Sequence, residues 1–341
     1  MKPHKLAPRA AFAALFLASP AFAQSPDGYF KNKTVQINVA GSAGGGIDVG
    51  ARILARFIGK YLPGNPTVVA QDMPGAGGIR VLEYLAAQAP KDGTWIGAFA
   101  SGPLLDPVIG PRKPAYGIDS FTAVGATEKD GAFCTTWVSS PIKTLEDARQ
   151  RVVTVAGTGA SSDTDTEPVV LNEVLGTKFK VITGYPGTQE TALALERGEV
   201  DGRCGFGFAS IRASKPAWLT EHKLNFLVQL GLQKHPLAPD VPLALDLAQT
   251  EDHKAMIRLM SAPLTLSRPY LAPPGLPPER AADVRKAFMQ AFADPELRAE
   301  FVKSSGDEPG PTDGEAMQKI LVSMQATPVP VRDRLRTILN P

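Results

Sequence analysis

Four short runs gather glycines, hydroxyls and small residues where a strand-like stretch gives way to a helix-like one. They are GSAGGGID at 41–48, PGAGGI at 74–79, GTGASSD at 157–163 and GYPGTQE at 184–190. A helix N-terminus carries about half a positive charge and N–H groups with no intrahelical acceptor, so such turns attract anions without a lysine. Small residues also let a ligand carboxylate approach the backbone. The residues expected to hold one are Gly41, Ser42, Ala43, Gly44 and Gly45 in the first turn and Gly75, Ala76, Gly77 and Gly78 in the second. Thr158, Gly159, Ser161 and Ser162 in the third and Tyr185, Gly187 and Thr188 in the fourth complete the set. Any one turn taken alone reads first as plain packing; four at equivalent strand ends point to a cleft.

Three side chains carry two readings each. Asp48 stands in a first helical turn, where it either meets the ligand or its water, or only complements the helix dipole. Arg203 either pairs bidentately with a second carboxylate or lies exposed on a strand edge. Tyr185 either touches ligand or packs. Trp95, Trp137 and Trp218 read as core or surface residues, and Arg80 as solvent-facing.

Other chemistries lack their residues. A phosphate-binding P-loop needs Gly-Lys-Ser/Thr, where the first turn has Ile47-Asp48. The dinucleotide fingerprint fails at Val49 in the first turn and at Arg80 in the second. There is no Gly-x-Ser-x-Gly elbow, and His222, His235 and His253 stand in no catalytic setting. No His/Asp/Cys spacing suits a metal. The chain reads as a binding protein, with no cofactor and no bond-making machinery.

The turns need elements to hold them. Residues 34–39, 67–70 and 95–100 read as strands, with helical apolar spacing through Ile47, Ala51, Leu54, Ala55, Ile58 and Leu62 and again around Tyr84 and Leu85. The second half repeats the grammar. Strands are expected at 152–156, before the Gly-Tyr-Pro turn, around Arg203 and at 224–230, with a helix at 167–175. A proline-rich connection and a helical tail from Pro278 follow. Strand, glycine turn and helix in repetition predict parallel βαβ units, whose ligands sit beyond the carboxyl ends of the strands.

The first residues read as a leader rather than as fold. Lys2, Lys5 and Arg9 precede the apolar run 10–18, and Ala21-Phe22-Ala23 makes a small-x-small cleavage site, so 1–23 is expected to be a signal peptide. The run is too short for a bilayer, which takes about 20 apolar residues. The leader holds three basic residues and no acidic one, so the formal charge falls from +2 to −1 on its removal. That argues against a nucleic-acid partner. Export to an oxidising compartment suits the two cysteines, Cys134 and Cys204, either as one disulfide or as two buried thiols.

In order, the motifs resemble the substrate-binding receptors of tripartite tricarboxylate transporters, the TctC-like proteins of the Bug family. INVAGSAGGGIDVGAR, VVAQDMPGAGG, APKDGTWIG, KTLEDAR, GYPGTQETALALERGEVDG, HPLAPDVP and APPGLPPERAADVRKAFMQAFADPELRAEF follow the family's sequence of motifs over nearly the whole chain after the leader. The resemblance implies an α/β, type II periplasmic binding protein fold: two Rossmann-like lobes closing on a ligand cleft. One lobe would hold 24–126 with 229–341, the other 127–228. It also implies a monomeric periplasmic receptor that captures a small organic carboxylate and delivers it to the membrane subunits of a secondary transporter. An orphan sensor feeding a signalling protein is the alternative, and a periplasmic enzyme a more distant one. In the family the carboxylate is held by backbone amides and waters from the first two turns, with 158–163 and 185–188 opposite.

Four departures bear on the ligand. Gly41 replaces a usual aromatic, Ile47 a usual threonine, Asp163 a frequent histidine, and Gly205 a common aspartate. They are expected to enlarge the pocket and change its polarity.

Overall fold

The computed structural model describes residues 28–41, 43–44, 46–111, 114–128, 131–159, 162–185, 187–208, 211–212, 215–305 and 308–340. The expected leader, 1–23, lies outside them, as do Ser42, Gly45 and Ser161 of the candidate site.

The chain builds two sheets in turn. Strands β1 (Thr34–Val39), β2 (Thr67–Asp72), β3 (Trp95–Ala98) and β4 (Thr122–Glu128) enter the first. Strands β5 (Ala132–Trp137), β6 (Val153–Ala156), β7 (Phe179–Ile182), β8 (Gly202–Phe206) and β9 (Leu224–Leu230) form the second. The chain then returns as β10 (Ser267–Ala272) and β11 (Thr312–Asp313). The orders are β11-β4-β10-β3-β1-β2 and β7-β6-β8-β5-β9.

The parallel units expected from the repeated grammar are present as β2-β1-β3 and β7-β6-β8. Neither sheet is wholly parallel. β10 runs against both β3 and β4, and β5 against both β8 and β9. These are the two strands by which the chain arrives from the other sheet. The parallel strands end at the face between the sheets, so an arriving strand must begin at that face and run the opposite way.

Packing follows the apolar spacing. The helix Gly46–Ile58 buries Ala51, Leu54, Phe57 and Ile58, one stripe of its surface, in a core with Val35, Ile37 and Val39 of β1 and Phe288, Phe292 and Phe301 of the tail helices. Each large side chain so covered contributes roughly 1.5–3 kcal/mol. β1 is buried on both faces, as a central strand of a covered sheet should be. Helices Glu251–Ser261 and Val329–Leu339 pack against Asp163–Leu175, linking late segments of the chain to the second sheet.

Two boundaries move in ways that matter. β3 stops at Ala98, before the expected residue 100, and the helix expected from 167 begins at Asp163. The second shift puts Asp163 and Glu167, four residues apart, on one helical face.

Candidate functional site

Each turn is held by its own hydrogen bonds. In the first, Asp48 is buried and accepts from the Gly44 N–H at 2.8 Å, while Arg52 Nε approaches its Oδ1 at 2.6 Å. Arg52 also reaches Asp72 at 3.2 Å. Desolvation, and then the neighbouring Asp48 carboxylate, push the Asp72 carboxyl up against the pull of Arg52. Asp48 thus fastens the turn to the helix it opens. Gly41 and Ile47 adjoin: a methyl at Gly41 would lie 3.9 Å from Ile47 Cδ1.

The second turn passes through Gly75, then Ala76 at φ 46° and Gly78 at φ 104°. Gly78 N–H closes the turn on the Gly75 carbonyl at 3.0 Å. A Cβ at Gly78 would come within 3.0 Å of Pro103 Cγ and 3.2 Å of Ala40 Cβ, so both conformation and space demand glycine.

The third turn folds around Asp165. Its Oδ1 accepts from Gly159 N–H (3.1 Å), Ser162 Oγ (3.1 Å) and Thr164 Oγ1 (3.0 Å). Thr158 N–H donates to Thr164 Oγ1 at 2.9 Å. Burial pushes the Asp165 carboxyl up, but bonds from Thr183, Gly159, Thr164 and Ser162 outweigh it and hold the group below its ordinary value. In the fourth turn Tyr185 N–H donates to the Gly157 carbonyl, and the Tyr185 ring packs with the cluster around Trp137 and Trp218. Gly187 precedes the helix Thr188–Glu196.

Arg203 is not on a strand edge. β8 lies between β6 and β5, and Arg203 is 5 % exposed, its guanidinium 4.4 Å over the Phe206 ring and donating to Thr191 Oγ1 at 3.1 Å. Burial lowers its pKa; the Asp163 and Glu167 carboxylates raise it. Between Arg203 and Phe206, β8 carries two residues where β5 has only Cys134, a bulge with Gly205 at φ 69°. The bulge turns the Gly205 N–H out of the ladder onto Glu167 Oε2, at 2.8 Å. In the same place Cys134 and Cys204 form a disulfide between the two strands.

Between the sheets lies a cavity of about 580 Å³. Its walls are the second turn (Ala76, Ile79), the segment 100–111 beyond β3, Ser162, Asp163, Thr166 and Glu167 at the start of the second-lobe helix, and Met260, Pro263, Leu264, Leu339 and Asn340. Of the residues expected from sequence, it gathers Ala76 and Ser162, with Asp163 between the latter and Glu167. Gly41, Ala43, Gly44, Asp48, Gly75, Gly78, Thr158, Gly159, Tyr185, Gly187 and Arg203 are not among its lining residues; several hold the turns that are. Segment 100–111 and Glu167 were missed. The strand-end rule that located the other turns applies to β3 equally, and the Asp163–Glu167 spacing is legible once the helix is known to begin at Asp163.

Three acids line this cavity, Asp106, Asp163 and Glu167, and among the described lining residues no lysine, arginine or histidine does. Asp163 is open to the cleft but closely surrounded, and desolvation raises its pKa against the pull of Arg203. Glu167 is 2 % exposed; burial, then the Asp163 charge, drive its pKa well above the ordinary 4.5. Among the described residues no cluster of side chains could hold a metal, and no helix is long and apolar enough to cross a membrane.

No family model matches the chain. The UPF0065 protein in gbd 5'region of Cupriavidus necator is 27% identical over 319 residues, 86% of this chain and 85% of that protein. A TctC solute binding protein from Polaromonas superposes with a TM-score of 0.68 at 21% identity, over 90% of this chain and 98% of its own. The periplasmic binding protein BugD gives 0.59 at 21% identity over 91% and 98%. MatC from Rhodopseudomonas palustris, with bound malate, gives 0.58 at 20% identity over 90% and 99%. The resemblance read from the ordered motifs is borne out, and the chain carries the two-lobed fold of the TctC and Bug periplasmic binding proteins.

Proposed function

We propose that the protein is a periplasmic, non-catalytic receptor that captures a small organic carboxylate between its lobes and delivers it to the membrane subunits of a tripartite tricarboxylate-type transporter. The observation that carries this reading is the cavity between the two sheets, walled on one side by the Gly75–Gly78 turn and on the other by the start of the helix Asp163–Leu175. Its volume, about 580 Å³, suits a small ligand. That MatC holds malate in the same fold supports the ligand class.

The lobes that would close are 24–126 with 229–341, and 127–228. On this reading the second turn meets the carboxylate, while Asp48 and Asp165 keep the first and third turns in shape.

Thermal-shift titration with mono-, di- and amino-carboxylates tests the ligand class, because a ligand that binds only the native state raises its stability. At least one acid should raise the melting temperature, and Ala76→Trp, filling the cavity from the turn, should remove the shift in a variant whose unfolding remains cooperative. A response confined to sugars or inorganic cations would refute the carboxylate reading. Co-purification of membrane subunits with the liganded receptor tests delivery.

A further inference from the structure

We propose that the acid-lined end of the cavity is a subsite for a protonated amine on the ligand, received by the carboxylates of Glu167 and Asp163. This rests on the receptor reading above and narrows its ligand to a carboxylate that also bears an amine.

The geometry is specific. Glu167 lines the cavity with one oxygen, Oε2, fixed by the Gly205 N–H at 2.8 Å, while Oε1 is buried with no hydrogen-bond partner. A buried carboxylate oxygen left unmatched is costly, and an ammonium donor would relieve it. Asp163, one helical turn earlier, accepts from the Thr164 N–H on its Oδ1 at 2.9 Å and faces the open cleft.

Charge counting then decides between ligands. The buried Arg203 answers one of the two carboxylates. The positive end of the helix Asp163–Leu175 is met by Asp163 and Asp165 in its first turn. Of this pair Glu167 is therefore the acid left without a counter-charge. A ligand carboxylate placed here would add a second negative charge beside Asp163. An ammonium would instead supply the counter-charge that Glu167 lacks, in a cavity whose other charged lining residues, Asp106 and Asp163, are also acids.

The test is titration calorimetry on the purified protein with ω-amino acids of three to six carbons, each against its des-amino acid, and with butylamine. The expected result is at least tenfold tighter binding of an amino acid than of its des-amino partner. Glu167→Gln should bring that ratio to within about threefold, in a variant whose unfolding remains cooperative. Equal or tighter binding of the des-amino acids, to wild type, overturns the amine subsite and leaves the carboxylate receptor standing. A ratio unchanged in Glu167→Gln overturns the assignment to Glu167. Butylamine binding as tightly as 4-aminobutyrate overturns the carboxylate half alone, and no binding by any probe overturns both.

Discussion

The carbon that any side chain would add at Gly205 falls 2.9 Å from Asp163 Cγ and 3.1 Å from Asp163 Oδ1. Two positions far apart along the sequence therefore form one packing unit: the acid at 163 occupies the space in front of 205. The same glycine makes the bulge that aims its N–H at Glu167. One backbone conformation thus admits Asp163 and fixes one oxygen of Glu167.

An aspartate at 205 should be harmful. Gly205→Asp forces a side chain onto a backbone at φ 69° and into Asp163. The expected loss is about 2–4 kcal/mol of unfolding free energy, from backbone strain of about 1–2 kcal/mol together with overlap and like-charge repulsion. Adding Asp163→Gly should recover the charge component and the overlap with Asp163, but leave the strain and the 3.1 Å contact with the Thr164 backbone nitrogen. Denaturant unfolding of the single and double variants measures this directly. Additive losses in the double variant would mean that the two positions are not coupled.

Asp165 should prove to be the pin of the third turn. Asp165→Ala removes the acceptor for the Gly159 N–H and for the Ser162 and Thr164 hydroxyls in a nearly buried site. We expect a loss of about 2–4 kcal/mol and faster hydrogen exchange at the Gly159 amide. Because the folded-state pKa of Asp165 is depressed, its contribution is fully present above the ordinary value of 3.8 and disappears as the pH falls through the folded value. An unchanged Gly159 exchange rate would show that the turn holds itself without the carboxylate.

Glu167 has the opposite sign. Its folded-state pKa lies well above 4.5, so the folded protein holds the proton more tightly than the unfolded chain. Stability is therefore lost as the pH rises from about 4.5 through the folded value, at no more than about 1.4 kcal/mol per pH unit. Glu167→Gln has no such proton. Its advantage over wild type in unfolding free energy should grow with pH across that window and then level off. Parallel pH profiles for the two proteins would refute the raised pKa.

Much of this was legible because it is local. The turn at Gly75–Gly78 announces itself in its run of small residues, and the buried stripe of the helix Gly46–Ile58 in its apolar spacing. What escaped depends on pairing between distant segments. Arg203 reads as a strand-edge residue until β5, arriving backwards from the first sheet, is set beside β8 and buries it. The cavity walls at Met260 and Leu339 come from segments with no glycine signal at all; they are placed there by helix packing against Asp163–Leu175. The turn amides also proved less available than their composition suggests, since Gly44, Thr158 and Gly159 donate to side chains of their own helix starts.

The disulfide should stabilise the second sheet in particular. Cys134 and Cys204 are fully buried, 70 positions apart in sequence, and join β5 to β8 beside the bulge. Closing a loop of that length restricts the unfolded chain by an amount worth about 4 kcal/mol in the chain-entropy model. Replacing both cysteines by alanine should lower the unfolding free energy by about that much and weaken hydrogen-exchange protection in β5, β8 and β9 more than in β1 and β3. The native protein should not react with thiol reagents, and the denatured, unreduced protein should not either, because no free cysteine is present. Two titratable thiols in the denatured protein would refute the bond, and a loss below about 1 kcal/mol would show that the strand pairing constrains the unfolded chain little through this link.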